Sequence, residues 1–134
     1  MLWVQLVTLL AVLQYFGFGG LVARARIRYG VAAPASTGHE MFERYYRVQM
    51  NTLETLVLFL PALWLAALHW APVWMAAIGA IYLLGRLVYW RTYVAEPKTR
   101  SLGYGLSIIP TLLLWGLALL AVVLKLGGWL VEGR

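Results

Sequence analysis

The segment TLVLFLPALWLAALHWAPVWMAAIGAIYLLG, from Thr55 to Gly85, decides the fold class of this chain. His69 is its only His, Asp, Glu, Lys or Arg residue. About 20 consecutive apolar residues cross a bilayer, so the segment is long enough for two spans. His69-Trp70-Ala71-Pro72 supplies a helix breaker and an interfacial aromatic ring where the segment divides. The segment therefore predicts two membrane helices joined by a short turn.

Two more apolar segments flank it, because Met1–Ala23 and Ser101–Leu124 contain no charged side chain. A chain with 63% hydrophobic and 12% charged residues lies outside the range of ordinary soluble domains. The apolar runs lack the period-two alternation of barrel strands. We predict an all-α integral membrane protein, a four-transmembrane-helix bundle forming one domain over residues 1–134. Its spans are placed near residues 2–23, 44–69, 73–93 and 102–125.

Basic residues cluster in two of the connections between these spans. They are Arg24, Arg26 and Arg28, followed by Arg44 and Arg47, and then Arg91, Lys98 and Arg100. The middle connection has none, and the C-terminal tail has only Lys125 and Arg134. By the positive-inside rule both basic connections face the cytoplasm and both chain ends face outward. We expect this multi-pass topology in a bacterial inner membrane. A secretory signal cleaved near Ala23-Arg24-Ala25 is disfavoured, because no basic residue precedes the apolar run.

Several function classes are disfavoured by composition. The chain has no cysteine, which excludes disulfides and a protein thiol nucleophile. His39 and His69 fall on opposite sides of the membrane in the predicted topology, so we predict no metal site. The net charge of +6 is concentrated beside the membrane. It therefore favours membrane lipids or an anionic small molecule over nucleic acid.

A polar cluster begins the second helix, in FERYYRVQMNTLE from Phe42 to Glu54. Arginine forks suit carboxylates, the Glu54 carboxylate suits an ammonium group, and the Gln49 and Asn51 amides both donate and accept hydrogen bonds. The cluster therefore predicts a zwitterionic ligand with several carboxylates. A second helical face repeats the theme at Tyr82, Arg86, Tyr89 and Tyr93.

Structural interpretations of the same residues stay open at this point. Glu43 and Arg47 could form a helix-end pair, and Glu54 with Arg86 could form an interhelical ion pair. The tyrosines could form an aromatic belt at the lipid interface.

The joint pattern resembles the MAPEG family, the membrane-associated proteins of eicosanoid and glutathione metabolism. The matching segments are Ala25-Arg26, Ser36-Thr37-Gly38, the motif from Phe42 to Glu54, the Tyr82–Tyr93 face, and Arg100-Ser101. Tyr104 and Pro110, which follow, favour the microsomal glutathione transferase and prostaglandin E synthase branch. The leukotriene C4 synthase branch has a second Arg after the one matching Arg26 and a Tyr after the Glu, where this chain has Ile27 and Thr55.

The resemblance implies a homotrimer that binds glutathione between neighbouring subunits near the cytoplasmic side. The positions that match glutathione-holding residues are Arg26, Arg47, Gln49, Asn51, Glu54, Tyr89 and Tyr93. Arg100 matches the arginine that activates the glutathione sulfur. Ser101 is an alternative donor to that sulfur, or else the cap of the fourth helix.

We therefore predict a membrane-bound glutathione transferase with a detoxification role. It would conjugate glutathione to hydrophobic electrophiles that enter from the bilayer, and reduction of lipid hydroperoxides is a related activity that the residues do not separate from it. One alternative is a non-catalytic MAPEG-like protein that binds lipids or a partner, which a glutathione-binding measurement distinguishes. A small proton-coupled multidrug exporter is the other, recognisable by proton-driven drug transport that is lost in Glu54→Gln.

Overall fold

The structure, a computed structural model, describes residues 1–132, so Arg134 of the predicted C-terminal tail lies outside it. The chain forms four long helices: α1 (Leu2–Tyr29), α2 (Glu40–His69), α3 (Pro72–Ala95) and α4 (Ser101–Glu132). A 3-10 turn, Pro97–Thr99, connects α3 to α4. The described residues contain no strand, so the predicted all-α four-helix class is confirmed. Each helix includes one of the predicted spans.

All four helices are long and apolar enough to cross a bilayer. Each also turns large apolar side chains outward, and Phe16, Leu58, Leu84 and Leu112 are all at least half exposed. Exposed apolar surface of this extent would promote aggregation in water, whereas lipid tails solvate it well. The outer surface of the bundle is therefore suited to hydrocarbon.

The core joins all four helices through small and aromatic side chains. Phe59 of α2 stacks on Tyr82 of α3 with ring centroids 3.9 Å apart, and the Tyr82 hydroxyl lies 2.9 Å from Thr55 Oγ1. Val4 of α1 and Leu114 of α4 are fully buried in the same core. This shared core packs the four helices into one bundle.

The polar residues meet at one end of the bundle. Helix α1 ends at Gly30, whose φ of 68° is a left-handed conformation that glycine adopts without strain. At the same end, Arg44 Nη1 donates hydrogen bonds to the carbonyl oxygens of Val94 (2.9 Å) and Ala95 (3.0 Å). These bonds tie the start of α2 to the end of α3, which brings the first and third connections together.

Glycines let α3 and α4 pack at backbone distance near this end. A Cβ atom on Gly85 would lie 2.6 Å from the carbonyl carbon of Leu106. A Cβ atom on Gly103 would overlap the backbone of Tyr89. The close approach sets the first turn of α4, which follows Arg100, directly beside Tyr89.

Candidate functional site

A cavity of about 280 Å³ lies where α2, α3 and the start of α4 meet. Its lining residues are Arg47 and Asn51 of α2, Tyr89 of α3, and Arg100 and Tyr104 at the start of α4. Four of these five residues are predicted site residues. Tyr104 is the addition, and it lies one helical turn after Arg100, a spacing that places both on one side of α4.

Arg47 forms an ion pair with Glu54. Its Nη1 lies 3.6 Å from Glu54 Oε1, two helical turns further along α2. Both side chains are about half exposed, at 52% and 57%. Exposed ion pairs contribute about 0–1 kcal/mol or less to stability, so holding the fold together is a poor explanation for this pair. Because both side chains are exposed, a ligand carboxylate can reach Arg47 and a ligand ammonium group can reach Glu54.

Asn51 accepts a hydrogen bond from a buried arginine of α3. Arg86 Nη1 donates hydrogen bonds to Asn51 Oδ1 (2.7 Å) and Thr55 Oγ1 (3.2 Å), and its guanidinium carbon lies 4.2 Å from the Tyr89 ring centroid. Arg86 is fully buried, and within residues 1–132 it makes no ion pair. The interpretation of Glu54 and Arg86 as an interhelical pair is therefore wrong, since Glu54 contacts Arg47 instead.

Tyr93 lines an adjoining cavity of about 440 Å³, which shares Arg47 with the first. Tyr89 and Tyr93 stack with ring centroids 5.4 Å apart. Tyr82 and Tyr89 are buried inside the bundle, at 0% and 3% exposure. The interpretation of these tyrosines as a lipid-facing aromatic belt is therefore wrong, because the buried pair points into the protein and not toward lipid.

Arg26 and Gln49 lie away from both cavities. Arg26 Nη1 donates a hydrogen bond to the Ala35 carbonyl oxygen (2.6 Å), and its guanidinium carbon lies 4.7 Å from the Phe42 ring centroid. The Gln49 amide nitrogen lies 2.9 Å from the position of a Cβ atom on Gly19 of α1. Within one chain, Arg26 therefore faces the first connection and Gln49 faces α1.

Arg100 occupies the N-cap position of α4. Its carbonyl oxygen accepts a hydrogen bond from the Tyr104 N–H (3.0 Å), so α4 begins with Ser101 as its first residue, and Ser101 does not act as the cap. Arg100 is exposed and forms no ion pair in the described part of the chain. An unshared guanidinium at a helix N-terminus combines two features that attract anions.

The remaining acidic residue of the motif has a local role. Glu43 Oε1 accepts a hydrogen bond from the Gly38 N–H (3.1 Å), which closes the first connection onto α2. The alternative helix-end pair of Glu43 with Arg47 is therefore wrong. No cluster of three or more His, Cys, Asp or Glu side chains able to hold a metal ion occurs in residues 1–132.

Four apolar helices, each long enough to cross a bilayer, define a multi-pass membrane protein with a cavity lined by two arginines at one end. Residues 4–120 match the MAPEG family, and the chain belongs to that family. The predicted family assignment is confirmed.

Three relatives illustrate the range of similarity. The chain is 46% identical over 127 residues to an uncharacterized protein of Synechocystis sp., covering 94% of this chain and 92% of that protein. It is 37% identical over 116 residues to mouse (Mus musculus) microsomal glutathione S-transferase 2, covering 87% and 79% of the two chains. It is 40% identical over 94 residues to leukotriene C4 synthase of Cavia porcellus, covering 70% of this chain and 63% of that enzyme.

A microsomal glutathione transferase is thus among the relatives, as the resemblance predicts. Leukotriene C4 synthase is matched at similar identity, so percentage identity alone does not separate the two branches. The assignment to the glutathione transferase branch, which the resemblance bases partly on Ile27 and Thr55, therefore stays a prediction.

Proposed function

We propose that this protein is a membrane-bound glutathione transferase that conjugates glutathione to hydrophobic electrophiles. The observation that carries the proposal is the cavity that places the unshared Arg100 guanidinium beside Arg47, Asn51 and Tyr89. The similarity to microsomal glutathione S-transferase 2 gives independent support. The family alone also accommodates a lipid-binding or partner-binding protein, but the cavity that joins Arg47, Asn51, Tyr89 and Arg100 has the donors that a small multiply charged ligand requires.

The donor set fits glutathione group by group. The tripeptide carries two carboxylates, one ammonium group and one thiol. Guanidinium forks such as Arg47 bind carboxylates, and the Glu54 carboxylate binds the ammonium group. Asn51 and the Tyr93 hydroxyl supply neutral hydrogen bonds around the same cavities.

The positions of Arg26 and Gln49 support an assembly of more than one copy, and the family resemblance implies that it is a homotrimer. Both match glutathione-holding positions, yet they face away from the cavity of their own chain. They reach the ligand only if a second copy supplies them to the cavity of the first. The outward-facing Arg47–Glu54 pair fits the same arrangement, because a neighbouring subunit would shield these charges from lipid.

Arg100 is the residue that we assign to the thiol. Ser101, the next residue, is the alternative donor, although it is exposed and lines neither cavity. A thiol with a pKa near ~8.5 is mostly protonated at neutral pH, whereas the thiolate is the nucleophile. A guanidinium beside the sulfur favours the anion. The thiolate then adds to an electrophilic carbon, a carbon–sulfur bond forms, and the leaving group departs. With a hydroperoxide, two glutathione molecules would instead become one disulfide while the peroxide is reduced to an alcohol and water.

An apolar acceptor has a route from the bilayer. A groove of about 260 Å³ between α2 and α4 is lined by apolar side chains that include Val57, Pro61 and Trp115. It begins at Val57, three residues after Glu54 and so about one helical turn deeper in the membrane. On α4 the groove begins at Trp115, about 22 Å along the helix from Arg100, so a hydrophobic electrophile that enters from lipid would move along the α2–α4 interface to reach the thiolate.

The test compares the wild-type protein with Arg100→Ala and Lys98→Ala in glutathione conjugation of chlorodinitrobenzene. Lys98 is an exposed basic residue of the same connection that lines neither cavity, so its variant controls for general charge. If Arg100 lowers the thiol pKa by about two units, its loss reduces the thiolate fraction at pH 7, and with it the rate, by about 20-fold. The rate of Arg100→Ala should recover in part at higher pH, where more of the thiol is ionised. Lys98→Ala should match the wild type. Equal inactivity of all three with electrophiles and hydroperoxides would refute the enzyme assignment, and calorimetry with glutathione would then identify a binding protein.

A further inference from the structure

A third cavity, of about 300 Å³, lies between α1, the start of α2 and the end of α3. It is lined by Arg24, Arg28 and Tyr29 of α1, Tyr45 of α2 and Trp90 of α3. It shares no residue with the two cavities around Arg47. Arg24 and Arg28 are also two residues away from Arg26 on either side, a spacing that turns them to the opposite side of α1. The cavity is therefore separate from the proposed glutathione site.

The charges in this cavity are unbalanced. Arg24 and Arg28 are exposed and lie one helical turn apart, where like charges repel. Neither forms an ion pair in the part of the chain that the structure describes. The four glutamates in the polar half of the bundle are engaged elsewhere. Glu40 pairs with Arg44 and Glu54 with Arg47, while Glu43 and Glu96 accept backbone hydrogen bonds from Gly38 and Lys98.

A third arginine, Arg91, lies beside this cavity. Arg91 is exposed, and its guanidinium carbon lies 5.3 Å from the ring centroid of Trp90, which lines the cavity. The Arg28 guanidinium carbon similarly lies 5.5 Å from the Tyr29 ring centroid. Aromatic rings stacked against exposed arginines are typical of the level at which lipid headgroups meet the hydrocarbon. An anion in the cavity would reduce the repulsion between Arg24 and Arg28, and Arg91 adds positive charge beside Trp90.

The surface below the cavity is suited to acyl chains. Leu87 lies one turn deeper than Trp90 on α3 and is 43% exposed. Gly17 lies about two turns deeper than Arg24 on α1, and the space where its Cβ atom would stand is open. An exposed apolar surface below a basic cavity matches the chemistry of a phospholipid better than that of a free anion. Basic pockets between transmembrane helices bind anionic headgroups in this way.

We propose that the cavity lined by Arg24, Arg28 and Trp90 binds the phosphate headgroup of an anionic phospholipid. The two arginines contact the phosphate, and the acyl chains lie over Leu87 and Gly17. The bound lipid thereby anchors the basic end of the bundle at the membrane surface. This site does not depend on glutathione binding or on transferase activity.

The experiment counts bound lipid directly by native mass spectrometry of the detergent-purified protein titrated with phosphatidylglycerol or phosphatidylcholine. We expect one tightly bound phosphatidylglycerol per chain and much weaker binding of phosphatidylcholine. At about 1 kcal/mol for each basic residue near a membrane surface, Arg24→Gln and Arg28→Gln should each weaken phosphatidylglycerol binding about fivefold. Lys98→Gln, which removes one charge at the same end of the bundle, should change it by less than about twofold.

Three results would overturn the proposal. Equal retention of the two lipids would mean that the headgroup charge is not recognised. Equal weakening by Lys98→Gln would mean that the general field of the basic end, and not this cavity, attracts lipid. Displacement of lipid by inorganic phosphate, beyond the effect of sodium chloride at the same ionic strength, would identify a soluble anion as the ligand. Gel filtration of each variant checks that assembly is unchanged, and glutathione binding measured in parallel keeps this result independent of the transferase proposal.

Discussion

The Arg86 Nη1 atom lies 2.7 Å from Asn51 Oδ1, and this hydrogen bond connects α2 to α3 inside the bundle. A guanidinium only donates hydrogen bonds, so the side-chain oxygen of Asn51 must face it. The amide NH₂ group of Asn51 is then the end left to donate into the cavity that Asn51 lines. Arg86 lies nine residues from the end of α3, about 14 Å into the helix, where an arginine is costly to bury.

Replacement of Arg86 should therefore act through Asn51. In Arg86→Met the Asn51 amide loses its fixed orientation, and we expect the KM for glutathione to rise about tenfold while kcat changes less, since about 1.4 kcal/mol of binding is lost. Arg86→Lys should raise the KM less than Arg86→Met does, because lysine keeps a hydrogen-bond donor on a shorter side chain. A double-mutant cycle with Asn51→Ala provides the check. The two effects should be strongly non-additive, and simple additivity would show that Arg86 supports the fold without positioning Asn51.

The Arg47–Glu54 pair offers a charge-reversal test. Arg47→Gln and Glu54→Gln should each weaken glutathione binding, while the thermal stability changes little because the pair is half exposed. The reversed double variant, Arg47→Glu with Glu54→Arg, restores an ion pair but presents each charge to the wrong end of the ligand. We expect it to bind glutathione no better than the single variants, as measured by calorimetry. Full recovery in the reversed protein would instead mean that the pair is structural.

Gly103 and Gly105 provide a test position and a control position for the α3–α4 contact. A Cβ atom at Gly103 would overlap the Tyr89 backbone, whereas no atom lies within 4 Å of one at Gly105. Gly103→Ala should separate the helices, destabilise the protein by about 1–3 kcal/mol and move Arg100 away from Tyr89. Gly105→Ala should have little effect on either property. Thermal unfolding and conjugation rate measure the two consequences, and equal behaviour of the variants would show that close α3–α4 packing does not position the site.

Membrane orientation can be read from single cysteines, because the chain has none of its own. Ala32→Cys places a thiol in the exposed first connection, and Ala71→Cys places one in the exposed turn between α2 and α3. If the basic connections face the cytoplasm, a membrane-impermeant maleimide should label Cys at position 71 in intact cells and label Cys at position 32 only after permeabilisation. The opposite labelling pattern would place the proposed site away from the cytoplasmic supply of glutathione.

The helices could be predicted from sequence because apolar length alone is decisive in a membrane. Thr55–Gly85 holds one His and no other charged residue, and the chain turns at Trp70 and Ala71 beside Pro72. The polar cluster was also predictable, since Arg47, Asn51 and Glu54 recur at helical spacing. One sequence cannot, however, show which helix an outward-facing charge contacts.

The pairings of the charged residues illustrate that limit. Glu54 could equally have faced Arg86, but the rotation of α2 directs Asn51 and Thr55 toward Arg86 and leaves Glu54 beside Arg47. Gln49 was grouped with Arg47 because of its amide chemistry and the family match. It lies only two residues from Arg47, a spacing that turns it to the other side of α2, where it faces Gly19 of α1. Side-chain direction depends on how each helix is rotated against its neighbours, and the spacing of residues within one helix does not determine that rotation.

The central claim is that Arg100 keeps the sulfur of bound glutathione ionised, and the pKa of that thiol is its most direct measure. The pKa can be obtained by titrating the ultraviolet absorbance of the thiolate in the protein–glutathione complex, for the wild type and for Arg100→Ala. A nearby positive charge stabilises the anion, so the wild-type complex should show a thiol pKa about two pH units below the usual ~8.5, worth roughly 2.7 kcal/mol. Arg100→Ala should return it toward the usual value. A wild-type complex whose thiol titrates near ~8.5, unchanged by the substitution, would contradict the account.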